Sequence, residues 1–160
     1  MKFILILFLT IWFAACSSTE KSEVIPDRFK NFMSTYFNGY DYDYEDISVR
    51  GNRNYGRQSA LFTIKKTDLS QAEMSNIYQK LDDGGWRIVE TNSKNYINFC
   101  YGDDSSLYIL FPLKKNETTV SGSPINYEDM NAWNIFIYKS TTKIAKCNQD
   151  EKDFIDFTKL

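Results

Sequence analysis

The sequence predicts an α+β fold, with an antiparallel sheet of about five to six strands and two main helices packed on one face of it. Two segments carry apolar residues at helical spacing, and several short segments alternate apolar and polar residues between turns that contain Gly or Asp. The strands follow one another in hairpins and do not alternate with helices, which is typical of an antiparallel sheet. A chain of 160 residues suits one domain.

Both predicted helices have recognisable ends. The first spans residues 26–37, with Pro26 in the first turn, where its missing N–H costs no hydrogen bond. The second begins with a capping box of Ser70 and Glu73 and ends at Gly84. Their apolar stripes, which should face the sheet, are Phe29, Phe32, Met33, Tyr36 and Phe37 in the first helix and Met74, Ile77, Tyr78 and Leu81 in the second.

Alternating residues predict the strands. The predicted strands are a short one around Ile47 and Val49, which forms a hairpin with residues 58–65, and then residues 86–91, 95–101, 106–111 and 133–138. Residues 118–129 are predicted to form a loop, and residues 150–160 a C-terminal tail or a short helix. Trp86 and Trp133 are predicted to be buried. We therefore predict that residues 26–149 form one α+β domain.

The composition excludes some classes of function. The net charge of −2 argues against a nucleic-acid-binding protein, which usually presents a basic face. The chain contains no His, the commonest general base and metal ligand. No nucleophile elbow, phosphate-binding glycine loop or zinc-protease motif is present. We therefore predict no catalytic residues, no metal site and no cofactor.

The first 25 residues differ from the rest of the chain. Lys2 precedes an apolar run over residues 3–13, and the small residues Ala14 and Ala15 follow it. This is the arrangement of a secretory signal peptide, and the apolar run is shorter than the roughly 20 residues that a membrane span needs. Residues 17–25 are mainly polar and are predicted to form a short tether.

Residues 13–16 (FAAC) resemble the lipobox of bacterial lipoprotein signals. Ala14, Ala15 and Cys16 match the last three positions of the lipobox, and Phe13 stands where Leu is usual. The resemblance implies removal of residues 1–15 and acylation of Cys16, so that the mature chain is anchored on the periplasmic side of a membrane. Ser17 is similar to the export signal that Gram-negative lipoproteins of the outer membrane carry, so the outer membrane is favoured.

Two further cysteines, Cys100 and Cys147, remain after lipidation of Cys16. The periplasm permits a disulfide, and the predicted strands bring the two residues within reach of each other. The alternative is a pair of buried free thiols. A catalytic thiol is disfavoured, because no His could activate it.

The segment YDYDYED, residues 40–46, combines acids and tyrosines. Its acids could bind calcium, but the spacing lacks the Gly at position six and the Glu at position twelve of an EF-hand loop. We therefore predict a solvated turn, with Tyr40, Tyr42 and Tyr44 packed inward and the acids outward. These acids are Asp41, Asp43, Glu45 and Asp46.

The tyrosines also offer a candidate binding surface, because Tyr brings a large contact area at a low entropy cost. The candidates are Tyr36, Tyr40, Tyr42, Tyr44 and Tyr55, and the alternative is that they belong to the core. We expect a non-catalytic binding module whose partner is a periplasmic protein. An immunity-type lipoprotein and an accessory subunit of an envelope assembly both fit. An envelope glycan is the alternative ligand, and an enzyme with a His-free site is less favoured.

Overall fold

Six antiparallel strands form the main sheet, and two helices pack on one of its faces. A computed structural model describes residues 24–48, 56–92, 95–119, 122–150 and 153–156. The helices are α1 (Asp27–Tyr36) and α2 (Gln71–Asp83). The strands of the sheet are β1 (Asp43–Asp46), β2 (Gln58–Lys65), β3 (Arg87–Thr91), β4 (Tyr96–Tyr101), β5 (Ser105–Leu110) and β8 (Ala132–Lys139), and β6 (Glu117–Thr118) pairs with β7 (Pro124–Ile125) in a separate ribbon. The predicted α+β class is confirmed.

The order of the strands across the sheet is β1-β2-β8-β5-β4-β3. The last strand along the chain, β8, lies in the interior of the sheet, where it pairs with β2 on one side and β5 on the other. Strands β3, β4 and β5 form a meander of sequential neighbours. The strand β8 therefore joins two parts of the sheet that make no ladder with each other.

The sequence signals at the ends of the helices have the predicted structural roles. Ser70 Oγ accepts a hydrogen bond from the Glu73 amide at 3.3 Å, and Glu73 Oε2 accepts one from the Ser70 amide at 2.8 Å. This reciprocal pair satisfies amides that α2 leaves without a partner. Gly85, just after α2, has a φ of +91°, which favours glycine. Pro26, which was predicted in the first turn, instead directly precedes α1 as its N-cap residue.

The main core lies between the helices and one face of the sheet. Alternate residues of the strands point to this face, because side chains of a strand alternate between its two sides. Trp133 is buried, and its indole N–H donates a hydrogen bond to the Leu69 carbonyl at 2.7 Å. Trp86 is buried in the same cluster, as predicted. The largest fully buried members are Phe29, Phe37, Phe62, Phe99, Met33, Ile64, Leu69, Met74, Leu81, Leu107, Ile109 and Ile135.

The acidic segment differs from its prediction, because residues 43–46 form β1 where we predicted a turn. Acids and tyrosines alternate here, so one side of the strand packs rings on the core and the other keeps carboxylates in water. Tyr42 and Tyr44 place their ring centroids 5.3 and 5.2 Å from that of Phe62. An edge strand tolerates such charges. Ile47, which was predicted to share a strand with Val49, directly follows β1, and Val49 lies outside the described residues.

Two other segments carry structure that we did not predict. The predicted loop over residues 118–129 contains most of the β6–β7 ribbon, which packs Ile125 against Tyr96 and Leu110. In the C-terminal tail, the Ile155 amide donates a hydrogen bond to the Ile88 carbonyl at 2.8 Å. This bridge covers part of the β3 edge of the sheet.

Candidate binding surfaces

Four of the five predicted tyrosines lie on the core side of the molecule. Tyr36, Tyr40, Tyr42 and Tyr44 are partly buried and pack against the main core. Tyr55 lies outside the described residues, as does the lipidation site at Cys16. The described tyrosines therefore contribute to packing, and their role in binding stays a prediction.

Cys100 and Cys147 form the predicted disulfide, with their Cα atoms 5.4 Å apart. The bond attaches the segment after β8 to β4. A second link in this segment is the Lys146 ammonium, which lies 2.6 Å from a Glu90 carboxylate oxygen. That hydrogen bond raises the pKa of Lys146 above its usual range. With the Ile155 bridge, three links hold the C-terminal segment over the β3–β4 end of the sheet.

The sheet face opposite the helices is only partly covered. The β6–β7 ribbon covers one part of it, and the disulfide-linked segment covers another. Cross-strand neighbours form a row from β5 to β1 between them: Tyr108, Phe136, Leu61 and Glu45. We define the open sheet face as six side chains on this side that retain contact with solvent around this row: Asp43, Glu45, Ile47, Thr63, Tyr108 and Phe136. Ile47 is 37% exposed.

An anionic pocket lies at the β1 end of the open sheet face. It has a volume of about 370 Å³, and Leu61 and Thr63 form part of its lining. Its acidic residues are Asp43, Glu45, Glu128 and Asp129, and all four are exposed. Acids that line one concavity beside apolar side chains attract a cationic group and suit an amphipathic one. Among the described residues, no three His, Cys, Asp or Glu are placed to hold a metal ion.

A fully buried asparagine positions two of the pocket's acids. Asn134 Oδ1 accepts hydrogen bonds from the amides of Glu128 and Asp129, at 3.1 and 3.3 Å. Its amide nitrogen donates to the Asp129 carbonyl at 2.8 Å. The backbone of this loop is therefore fixed to β8. We did not single out Asn134 from the sequence, although a polar residue within the apolar segment WNIFIY is the signal that marks it.

Lys66 fixes the neighbouring loops. Its ammonium donates hydrogen bonds to the carbonyls of Pro112 and Met130 and lies 4.3 Å from the centroid of the Phe111 ring. Burial lowers the pKa of Lys66. In the same region, burial and a hydrogen bond to the Glu117 carboxylate raise the pKa of Tyr127. The hydrogen bonds of Lys66 and Tyr127 therefore fix the loop before β6 and the loop after β7.

A second concavity, which we call the aromatic cleft, lies on the helix side of the sheet. It has a volume of about 490 Å³. Trp86 is part of its lining, and the Trp86 ring centroid lies 5.6 Å from that of Phe32 and 5.5 Å from that of Tyr101. Tyr101 is 50% exposed, whereas Trp86 is 5% exposed. The residues that line the cleft include Arg28, Phe29, Phe32, Trp86, Tyr101, Ser105, Ile137 and Lys139.

The two cations of the cleft differ in their environment. The Lys139 ammonium lies 2.5 Å from a carboxylate oxygen of Asp104. The hydrogen bond from Lys139 holds the pKa of the Asp104 carboxyl below its usual range. Arg28 is exposed and makes no hydrogen bond or ion pair with another residue in the described part of the chain. Its charge is therefore available to an anionic ligand.

None of the helices in the described ranges is long and apolar enough to cross a membrane. Comparisons of the chain with protein-family models, curated proteins and solved structures find no match.

Proposed function

We propose that the chain is a membrane-anchored lipoprotein of the periplasm that acts as a non-catalytic binding module for a protein partner. The anchor is lipid on Cys16, and the resemblance of residues 13–16 to a lipobox supports it. The observation that carries the binding function is the open sheet face, where aromatic and aliphatic side chains adjoin the anionic pocket. The outer membrane is the favoured location.

The open sheet face has the chemistry of a protein-binding surface. Aromatic side chains contribute much of the binding energy in protein interfaces, and the charges around them set orientation and the rate of association. A suitable partner presents apolar side chains to Phe136 and Ile47 and a Lys or Arg to the anionic pocket. Both versions of the partner are compatible with this requirement: a toxin that an immunity-type lipoprotein blocks, and a component of an envelope assembly.

The tether keeps this surface close to the membrane. Residues 17–25 reach about 30 Å when fully extended, because each residue spans about 3.3–3.6 Å. The partner is then a protein that works at, or passes close to, the same membrane.

An envelope glycan is less well supported as a ligand. Glycan binding by stacking needs exposed aromatic rings, and Trp86 and Trp133 are only 5% and 3% exposed, whereas Tyr101 is 50% exposed. We therefore favour the protein partner.

Affinity capture with charge-reversal variants tests the proposal. In the described part of the chain, the core residues and those that flank the core lie from Ile25 to Ile155, so a chain of residues 20–160 retains all of them. This chain is immobilised and exposed to a detergent extract of the native envelope, and the retained proteins are identified. The test variant carries Asp43→Lys and Glu45→Lys, and the control carries Asp83→Lys at the exposed end of α2.

We expect one protein to be retained in near-stoichiometric amount by the wild type and by the control, and to be lost from the double variant. Retention of nothing, or equal retention by the double variant, contradicts the proposal. The edge position of β1 lets the Lys substitutions keep the fold, since Lys is common on edge strands. Circular dichroism of the variants checks that they do.

A further inference from the structure

We propose that the aromatic cleft binds an anionic phospholipid of the anchoring membrane, with an acyl chain against Phe29, Phe32 and Trp86 and the phosphate on Arg28. The cleft is separate from the open sheet face, because it lies on the helix side of the sheet. Its apolar lining, its free cation and its position next to the tether each favour this ligand.

The lining of the cleft suits a hydrocarbon chain. Phe29 and Phe32 come from α1, Trp86 directly precedes β3, and Ile137 lines the cleft from β8. Their side chains are almost fully buried by their own contacts, yet they border a concavity of about 490 Å³. Filling it with an apolar group removes further apolar surface from water, which is favourable in proportion to the area buried.

The charge at the cleft suits a phosphate. Asp104 neutralises Lys139, whereas Arg28 has no partner among the described residues. A guanidinium presents its donors in a planar fork that fits the oxygens of a phosphate. The chain has a net negative charge, so its overall electrostatic interaction with an anionic membrane is unfavourable and would not bring the cleft to the membrane surface. A local site that combines Arg28 with an apolar pocket is needed.

The tether enters the domain beside the cleft. The first turn of α1 follows Pro26 directly and contributes both Arg28 and Phe29 to the lining. This part of the reasoning rests on the proposed lipid at Cys16, ten residues before Pro26. The extended reach between them is about 35 Å, so the cleft stays within range of the headgroups. Half-exposed Tyr101 lies on the same cleft and suits an interface that is apolar on one side and wet on the other.

Fluorescence quenching by brominated lipid tests the proposal. Residues 20–160 contain two tryptophans, Trp86 in the cleft and Trp133 under the Leu69 carbonyl. The chain is titrated with vesicles of phosphatidylcholine that contain phosphatidylglycerol brominated on its acyl chains. Bromine quenches tryptophan on contact, so quenching of Trp86 reports an acyl chain in the cleft. Binding itself is measured by co-sedimentation.

We expect quenching of the wild type, and no quenching in Trp86→Phe even though that variant still co-sediments. Arg28→Gln should need about fivefold more lipid, because one cation at a membrane surface contributes about that factor. Lys115→Gln removes a matched charge from the loop after β5, at the end of that strand opposite Ser105, and should behave as wild type.

Two results would overturn the proposal: no quenching of the wild type, or equal titrations for Arg28→Gln and the wild type. Co-sedimentation of the wild type without quenching would indicate adsorption to the membrane surface only. The unlipidated chain is used throughout, so the outcome does not depend on the anchor. The mass of the intact chain purified from native membranes tests the lipid on Cys16 separately.

Discussion

Removing the disulfide should cost the domain a large part of its stability. The perturbation is the double substitution of Cys100→Ala and Cys147→Ala, which opens a loop with a sequence separation of 47 residues. In the chain-entropy model, a cross-link over a loop of this length lowers the entropy of the unfolded chain by an amount worth about 4 kcal/mol at 25 °C. The total free energy of unfolding of a domain is about 5–15 kcal/mol.

Urea unfolding followed by tryptophan fluorescence measures this effect. For a slope of about 2 kcal/mol per molar urea, a loss of about 4 kcal/mol moves the midpoint down by about 2 M. Wild type in the presence of a reductant provides the control, because it keeps both sulfurs and loses only the covalent link. We expect the double variant and the reduced wild type to show similar midpoints.

A midpoint shift below about 0.5 M would refute the reasoning, because it corresponds to about 1 kcal/mol at the same slope. Such a result would mean that the links at Lys146 and Ile155 already restrict the chain, or that the unfolded chain is compact near these residues. A large shift in the double variant with none on reduction would assign the loss to packing of the sulfur atoms.

Three further predictions concern the capping box, the core and the stability of the domain at low pH. Ser70→Ala should lower the free energy of unfolding by about 1 kcal/mol in urea, because α2 loses its cap, and an unchanged midpoint would contradict the capping role. Phe62→Ala should cost about 3–5 kcal/mol in the same assay, because this fully buried ring contacts Tyr42 and Tyr44, and a loss below about 1 kcal/mol would show that the site collapses. Lys139 lowers the pKa of Asp104, so the stability from this pair is present above the unfolded pKa of about 3.9 and is lost as the pH falls through the folded pKa. The free energy of unfolding of Asp104→Asn should therefore fall less than that of the wild type below about pH 4. Urea unfolding of both proteins at about pH 3 and about pH 7 measures this difference, and an equal fall in the two proteins would contradict the prediction.

The sequence allows the helices and hairpins to be predicted because their signals are local. The capping box of α2 and the Gly102 turn between β4 and β5 each depend on neighbours within a few residues. The strand order cannot be predicted in this way, because β8 pairs with strands that lie far away along the chain. The acidic segment shows another limit: alternation correctly predicts which side chains face inward, but the charge favoured a turn where an edge strand forms.

The same distinction applies to the binding surfaces. The disulfide could be predicted because the apparent signal peptide favours an oxidising compartment, where two cysteines leave few alternatives. The aromatic cleft could not, since α1, β4, β5 and β8 each contribute residues to it and no motif links them. The anionic pocket combines a predicted acidic segment with Glu128 and Asp129, which a buried asparagine holds in place.

The position of β8 has a consequence for how the chain folds as it is synthesised. Ala132 pairs with Lys65 and Lys139 pairs with Gln58, so the central ladder joins segments from opposite ends of the domain. Such a topology has a high contact order and folds slowly, because distant segments must lose conformational entropy in meeting before their pairing stabilises the fold. A nascent chain that has not yet extended past residue 139 lacks the strand that joins β2 to β5, and its apolar sheet face stays open. Chaperones that bind exposed apolar segments would therefore find this sheet face accessible until residue 139 has emerged and β8 can pair.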